Sequence, residues 1–250
     1  MSGHSKWASI KHKKAATDAK RGKLFTKLAR AITVAAREGG GDPDGNPALG
    51  LAIQKAKEAS MPKDNIGRAI DRGTGEGADA DAIERVLYEG YGPGGVAILV
   101  EAMTDNRNRT GSDVRHAFDR HGGNLGEPGS VSYLFEKRGL IVVLADRVDE
   151  DEVMLVAIEA GAEDVEVADG ELRIETVAGE LQVIQAALLE AAVKVASAEI
   201  AMVPSTTVTV ESDKAATLIK LIDLLDDHDD VDSVHANFDI SDEVLEQITR

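Results

Sequence analysis

The 250-residue sequence contains no cysteine. Disulfides, thiolate metal sites and cysteine nucleophiles are therefore excluded together, and the composition suits an intracellular protein. Aromatic residues make up only 3% of the chain against an apolar total of 43%, so the cores have to be built from Ala, Val, Ile and Leu. No apolar run approaches the roughly 18 residues that a membrane span requires. The N-terminus also lacks the hydrophobic segment of a secretory signal. Its basic, acid-poor character has something of an organellar transit peptide. However, Gly3-His4-Ser5-Lys6-Trp7 and Lys11-His12-Lys13-Lys14 are too polar to begin an amphipathic helix, and the segment reads as mature protein.

Basic residues are scarce as well, except at one end. The formal net charge is -17, from 28 Lys and Arg against 45 Asp and Glu. Yet the first 37 residues carry ten Lys or Arg and one acid. Residues 1–72 hold 15 basic and 7 acidic side chains, for +8, which leaves 13 basic and 38 acidic for the remainder, or −25. With a screening length of roughly 10 Å at 0.1 M salt, a basic lobe barely senses an acidic lobe a domain away. A partner near the first lobe meets a cation, and the common cellular polyanions are nucleic acids.

Apolar spacing predicts a helix over 15–38, with Leu24, Leu28, Ala31, Ile32 and Ala35 on one face. Lys20, Lys23, Lys27 and Arg30 fall on an adjacent face, within roughly a quarter-turn at 100° per residue. After the loop at 39–45, Asn46 reads as a helix N-cap with Pro47 in the first helical position. That second helix turns Leu49, Ala52, Ile53 and Ala56 inward. Pro62 begins a third, with Ile66, Ala69 and Ile70 inward, and the glycines at 73, 75 and 77 end the domain. Beyond residue 83 the pattern is mixed. Strands are expected at 86–89 and 96–103 around a turn at 90–95, then a helix at 110–121. Strands at 131–136 and 140–144, a helix at 149–160, strands at 164–168 and 171–176, a helix at 180–192 and a strand at 195–203 follow. Taken from 131, this is β-α-β-β-α-β, the ferredoxin-like order. Strand 206–211, helix 213–226 and strand 231–239 complete the unit begun at 84. The expected fold is thus α+β and multidomain. A helical domain at 1–77 is followed by two ferredoxin-like α+β domains. One is discontinuous, at 83–130 with 205–245, and the other occupies 131–204.

Phosphate contact needs cations spaced along a backbone, with groups that stack or hydrogen-bond among them. Lys6, Lys11, Lys13, Lys14, Lys20, Arg21, Lys23, Lys27 and Arg30 supply the charge, and Trp7, His4 and His12 are interleaved for stacking on unpaired bases. A second cluster is Arg107, Arg109 and Arg115, in the segment Asn106-Arg107-Asn108-Arg109-Thr110 that leads into the helix and in the helix itself, beside a helix N-terminus where free backbone N–H groups favour an anion. The competing reading pairs Arg115 and Arg120 with Asp113, Asp119 or Glu127. Gly90-Tyr91-Gly92-Pro93-Gly94-Gly95 resembles a phosphate loop in composition only. No Lys-Ser or Lys-Thr follows, and it joins two strands, so a hairpin turn is expected. Asp226-Asp227-His228-Asp229-Asp230 lacks Ca²⁺-loop spacing and reads as a solvated acidic edge, although acids at a helix C-terminus oppose its dipole. No cofactor, resident metal or catalytic residue is implied.

Several segments resemble the YebC/PmpR family. They are Gly3-His4-Ser5-Lys6-Trp7, Lys11-His12-Lys13-Lys14-Ala15-Ala16, Asp18-Ala19-Lys20-Arg21-Gly22-Lys23 and Met61-Pro62-Lys63-Asp64-Asn65-Ile66. Tyr88-Glu89-Gly90-Tyr91-Gly92-Pro93-Gly94-Gly95, Thr104-Asp105-Asn106-Arg107-Asn108-Arg109-Thr110 and Gly122-Gly123-Asn124-Leu125-Gly126 add to the likeness. The resemblance implies three domains, the middle one discontinuous, and a cytoplasmic DNA-binding transcriptional regulator. It also implies an alternative, a ribosome-associated translation factor or translational activator contacting ribosomal or transfer RNA. Ala48, Gly50 and Asp71 stand where the family commonly has basic residues, which directs contact to residues 6–30. Backbone-contacting residues outnumber any Arg/Asn/Gln base-reading set, so weak sequence specificity is expected. A phosphodiesterase using the C-terminal acids would need a spaced ligand set or nucleophile that the sequence lacks. A protein-interaction scaffold would use the acidic domains as its docking surfaces. Oligomeric state is not encoded in any of these features.

Overall fold

The structure, a computed structural model, describes residues 18–75, 83–168, 170–241 and 244. The chain is α+β and divides into two compact units, Met1–Tyr133 with Thr206–Arg250, and Leu134–Ser205.

The described residues of the first unit begin with three helices, α1 (Asp18–Gly39), α2 (Pro47–Glu58) and α3 (Lys63–Thr74). Their shared core holds Ile32, Ala35, Leu49, Ile53, Ala56, Ile66 and Ala69. Leu24, expected on the inner face of α1, is exposed instead. Asn46 caps α2 as its sequence position demands, accepting from the Leu49 N–H at 3.2 Å while its amide donates to the carbonyls of Ala35 and Gly40. One side chain thus starts α2 and closes α1. α3 crosses α1 at Gly73, where a Cβ would lie 2.4 Å from the Thr33 carbonyl oxygen, and the Thr33 hydroxyl donates across to the Ala69 carbonyl.

Strands β1 (Glu84–Tyr91) and β2 (Ala97–Thr104) form a hairpin around a single 3₁₀ turn at Pro93–Gly95. Gly94 and Gly95 there have φ of 82° and 77°, so the glycine-rich run is a turn. Helix α4 (Arg107–Arg120) starts three residues before its expected position, because Asn106 caps it by accepting from the Arg109 N–H. β3 (Asn124–Leu125) returns to pair with β1.

The second unit begins with β4 (Phe135–Leu144), one continuous strand where two were expected. Lys137-Arg138-Gly139 reads as a turn but lies in the middle of a strand paired on both sides, to β6 and β7. α5 (Glu150–Glu159), β5 (Asp164–Ala168), β6 (Glu171–Val177), α6 (Leu181–Glu190) and β7 (Val195–Pro204) complete it. The sheet order β5-β6-β4-β7 is fully antiparallel, the ferredoxin-like arrangement expected from the element order. Ile141, Val143, Leu172, Ile174, Leu181, Ile184 and Leu188 fill its core.

On returning to the first unit the chain forms β8 (Val208–Thr209), α7 (Ser212–Asp226), β9 (Val231–Ala236) and β10 (Phe238–Asp239). The expected strands 206–211 and 231–239 are shortened and broken at Asn237. Its side chain takes the Ala97 N–H at 2.7 Å and donates to the Thr206 carbonyl, diverting β10 to pair with β8. The main sheet runs β3-β1-β2-β9. β2-α4-β3 brackets β1 as β4-α5-β5 brackets β6, and β9 follows α7 beside β2 as β7 follows α6 beside β4. The two sheets share one spatial order, with the inner bracketed strand moved to the front of the chain in the first unit. β2 is buried on both faces except at Glu101, which accounts for the apolar runs on either side of that residue. Ile98, Val100 and Ala102 face α4 and α7, and Met103 meets Val34 of α1 together with Ile83.

Candidate nucleic-acid interface

On α1, Lys23, Lys27 and Arg30 rise about 6 and about 4.5 Å apart along the axis, and all three meet the C-terminal end of α7. The last carbonyls of a helix lack intrahelical donors and carry the negative end of its dipole. Here the donors come from α1. Lys27 Nζ donates to the Asp226 carbonyl at 2.5 Å, Lys23 Nζ to the Asp227 carbonyl at 3.3 Å, and Arg30 Nη1 to the Asp229 carbonyl at 2.6 Å. The acids that should destabilise this helix end therefore face cations.

Asp230 anchors the arrangement and is only 4% exposed. Oδ1 accepts from Arg30 at 2.5 Å; Oδ2 accepts from Thr110 Oγ1 at 2.6 Å and Arg109 Nη2 at 2.8 Å. Burial alone would raise its pKa, but the Thr110 and Arg109 hydrogen bonds, with the Arg30 and Arg109 charges, carry it down to about 2. The expectation of a solvated acidic edge is corrected at this residue. Asp227 and Asp229 remain exposed, with Asp229 3.9 Å from Lys23. Around them lies a groove of about 690 Å³ whose lining includes Lys23, Arg30, Arg109, Asp113, Asp229 and Asp230.

α4 distributes its arginines differently. Arg109 spans Asp105 and Asp230, both at 2.8 Å, and these bonds raise its pKa further. Arg107 lies 3.6 Å from Glu84 in an exposed pair. The Arg115 side chain is exposed and, among the described residues, makes no hydrogen bond or ion pair. The competing pairing of Arg115 with Asp113, Asp119 or Glu127 is not formed; Asp113 instead meets His228 Nε2 at 3.3 Å.

Two carboxylates outside the sequence-derived set are held by several donors, Glu89 buried and Glu101 partly so. Glu89 accepts three backbone N–H bonds, from Gly129 at 2.7 Å on one oxygen and from Val131 and Ser132 at 2.8 and 2.7 Å on the other. Burial opposes its charge, yet those donors hold the pKa below the ordinary value. Glu101 accepts from Ser233 Oγ at 2.7 Å and lies 3.5 Å from His235 Nε2. The His235 bond leads in lowering its pKa, and with Ser233 it overcomes burial to reach about 2. Glu89 lies one residue before the glycine run at 90–95, where nothing local marks its role. The acid run at the end of α7, opposed to the dipole, was the available signal for Asp230.

Among the sequence-derived candidates, Lys6, Trp7, Lys11, His12, Lys13 and Lys14 lie outside the described residues. Lys20 and Arg21 belong to the first turn of α1. Lys23, Lys27, Arg30 and Arg109 converge on the 226–230 turn, and Arg107 and Arg115 do not line that groove. Among the described residues no three His, Asp or Glu side chains are grouped to hold a metal ion, and no helix is long and apolar enough to cross a membrane.

Residues 5–76 match the family described as TACO1/YebC protein N-terminal domain, and residues 83–238 match TACO1/YebC second and third domain. A protein of Rubrobacter xylanophilus named probable transcriptional regulatory protein is 57% identical over 248 residues, 99% of each chain. One of the same name from Halothermothrix orenii is 56% identical over 252 residues, covering 100% of this chain and 99% of its own. The crystal structure of a conserved hypothetical protein from Aquifex aeolicus superposes with a TM-score of 0.86 at 51% identity, over 96% of this chain and 98% of that one.

Proposed function

The chain belongs to the TACO1/YebC family, and from that premise we propose that it is a non-catalytic, cytoplasmic, DNA-binding regulator of transcription. The observation that carries this reading is the charge division, +8 over residues 1–72 against −25 over the rest. The name shared by its bacterial relatives supports it. Lys6, Trp7, Lys11, His12, Lys13, Lys14, Lys20 and Arg21 are the proposed contact residues, with exposed Arg107 and Arg115 as a second group. Contact through such cations is dominated by phosphate and falls steeply with salt.

One observation favours a second reading, a translation factor bound to ribosomal or transfer RNA. A helix that reads duplex DNA lies in the major groove with its side chains free. The cationic face of α1 is instead turned onto the 226–230 turn. The deciding experiment measures affinity for pooled genomic duplexes, transfer RNA and ribosomal particles over a salt series. The transcriptional reading expects duplex DNA to be held more tightly than transfer RNA or ribosomal particles, with weak discrimination among duplexes. Sequence-independent duplex binding with tighter attachment to ribosomal particles would transfer the assignment to RNA. Absence of salt-sensitive binding to all three would overturn both.

A further inference from the structure

We propose that the acidic turn at the end of α7 stands in for a nucleic-acid backbone, occupying Lys23, Lys27 and Arg30 until a polyphosphate competes for them. This rests on the nucleic-acid reading above and adds to it a built-in competitor. Three features carry it. First, the turn presents a row of oxygens, the carbonyls of Asp226, Asp227 and Asp229 and the carboxylates of Asp229 and Asp230, to cations on successive turns of one helix. A phosphate strand offers a comparable row, with one charge per about 3.4 Å of rise. Second, the contact is graded. Arg30 and Asp230 are largely buried, with side chains 22% and 4% exposed, whereas Lys23 and Asp229 are 56% and 60% exposed at 3.9 Å. Exposed pairs of that kind are individually weak and exchange readily. The outer end can open while the Arg30 anchor holds. Third, carboxylates outnumber cations around the groove: Asp105, Asp113, Asp227, Asp229 and Asp230 face Lys23, Arg30 and Arg109. A weakly held polyanion is repelled from the stripe, and only a dense one displaces the turn.

The test uses the full chain with a labelled DNA duplex and with transfer RNA, at physiological salt. Asp227→Asn/Asp229→Asn is compared with Glu211→Gln/Asp213→Asn. The second variant makes the same charge change at exposed positions at the other end of α7, about 22 Å away by helix rise and beyond a screening length of about 8 Å. The turn variant is expected to bind about two- to fivefold more tightly than the native chain, the scale of the one exposed Lys23–Asp229 pair. The control should change by less than about twofold. In the native chain, hydrogen exchange of the amides over 224–231 should accelerate when transfer RNA or duplex is added. A turn variant no tighter than the control, with exchange over 224–231 unchanged or slowed, overturns the competition and leaves the functional reading standing. If only the turn variant binds, competition is the dominant control. If neither binds either probe, the competition and the functional reading fall together.

Discussion

Glu89 fastens the 126–132 loop through the backbone. Its two oxygens take three N–H groups, and an amide in its place has one acceptor oxygen and an NH₂ that would face a donor. Glu89→Gln is therefore expected to lose about 2–3 kcal/mol, the cost of unsatisfied buried donors, read as a lower urea midpoint. Tyr91→Phe removes the bond to the Ser130 carbonyl at the exposed side of the same loop and should cost less than about 1 kcal/mol. Asp230 and Glu101 set the acid limit. Each titrates near 2 when folded, against ordinary values of 3.8 and 4.5, so the folded chain binds fewer protons than the unfolded one. Their contribution is complete above about pH 4.5 and is lost as the pH falls toward 2. Glu101→Gln should flatten that acid limb when unfolding free energy is followed between those limits, with little effect on its slope near neutrality.

Between elements, the α1–α7 contact separates by burial. Arg30→Met leaves buried Asp230 with Arg109 and Thr110 but without the cation on Oδ1. A loss of about 2–3 kcal/mol is expected, below the 3–5 of a fully broken buried pair. Lys23→Met should cost under about 1 kcal/mol. Parallel urea titrations of the two variants check the gradient, and equal losses would refute it. At this scale the sequence was legible where the signal is local. Asn46-Pro47 marks the start of α2, and the period of β-α-β-β-α-β marks the second unit. It was not legible where a partner about 200 residues away decides. The lysine stripe on α1 was visible, but its partner at the end of α7 was not, and Asp230 passed for solvated acid. The break expected at 137–139 failed for a related reason. Gly139 looks like a turn residue, yet it is buried under α6, where a Cβ would meet Thr176 at 2.8 Å and Leu181 at 3.2 Å. Asn237 likewise broke a strand for the sake of a bond to Ala97, a demand that strand propensity does not carry.

At the scale of the molecule, the second unit leaves and re-enters the chain at one point. The Leu134 carbonyl accepts from the N–H and hydroxyl of Ser205 at 2.8 and 3.0 Å, and Phe135 lies in register with Pro204. A short glycine link from Tyr133 to Thr206 therefore spans the gap with little loop-closure entropy. The cores are filled by different residues, so the linked first unit and the isolated 134–205 segment should each unfold in a single cooperative urea transition. Loss of cooperativity in either would show that the units depend on each other. Excision also changes the electrostatics, since residues 134–205 hold 16 acids and 5 bases, a net −11 out of −17. If the acidic body restrains the basic lobe through its field, the restraint must follow the screening length, about 30 Å at 0.01 M salt and about 8 Å at 0.15 M. The excised chain is therefore expected to bind transfer RNA more tightly than the full chain at low salt, with the two affinities converging as salt rises. A difference that persists at high salt would instead assign the second unit direct contact with the nucleic acid or with the residues that hold it.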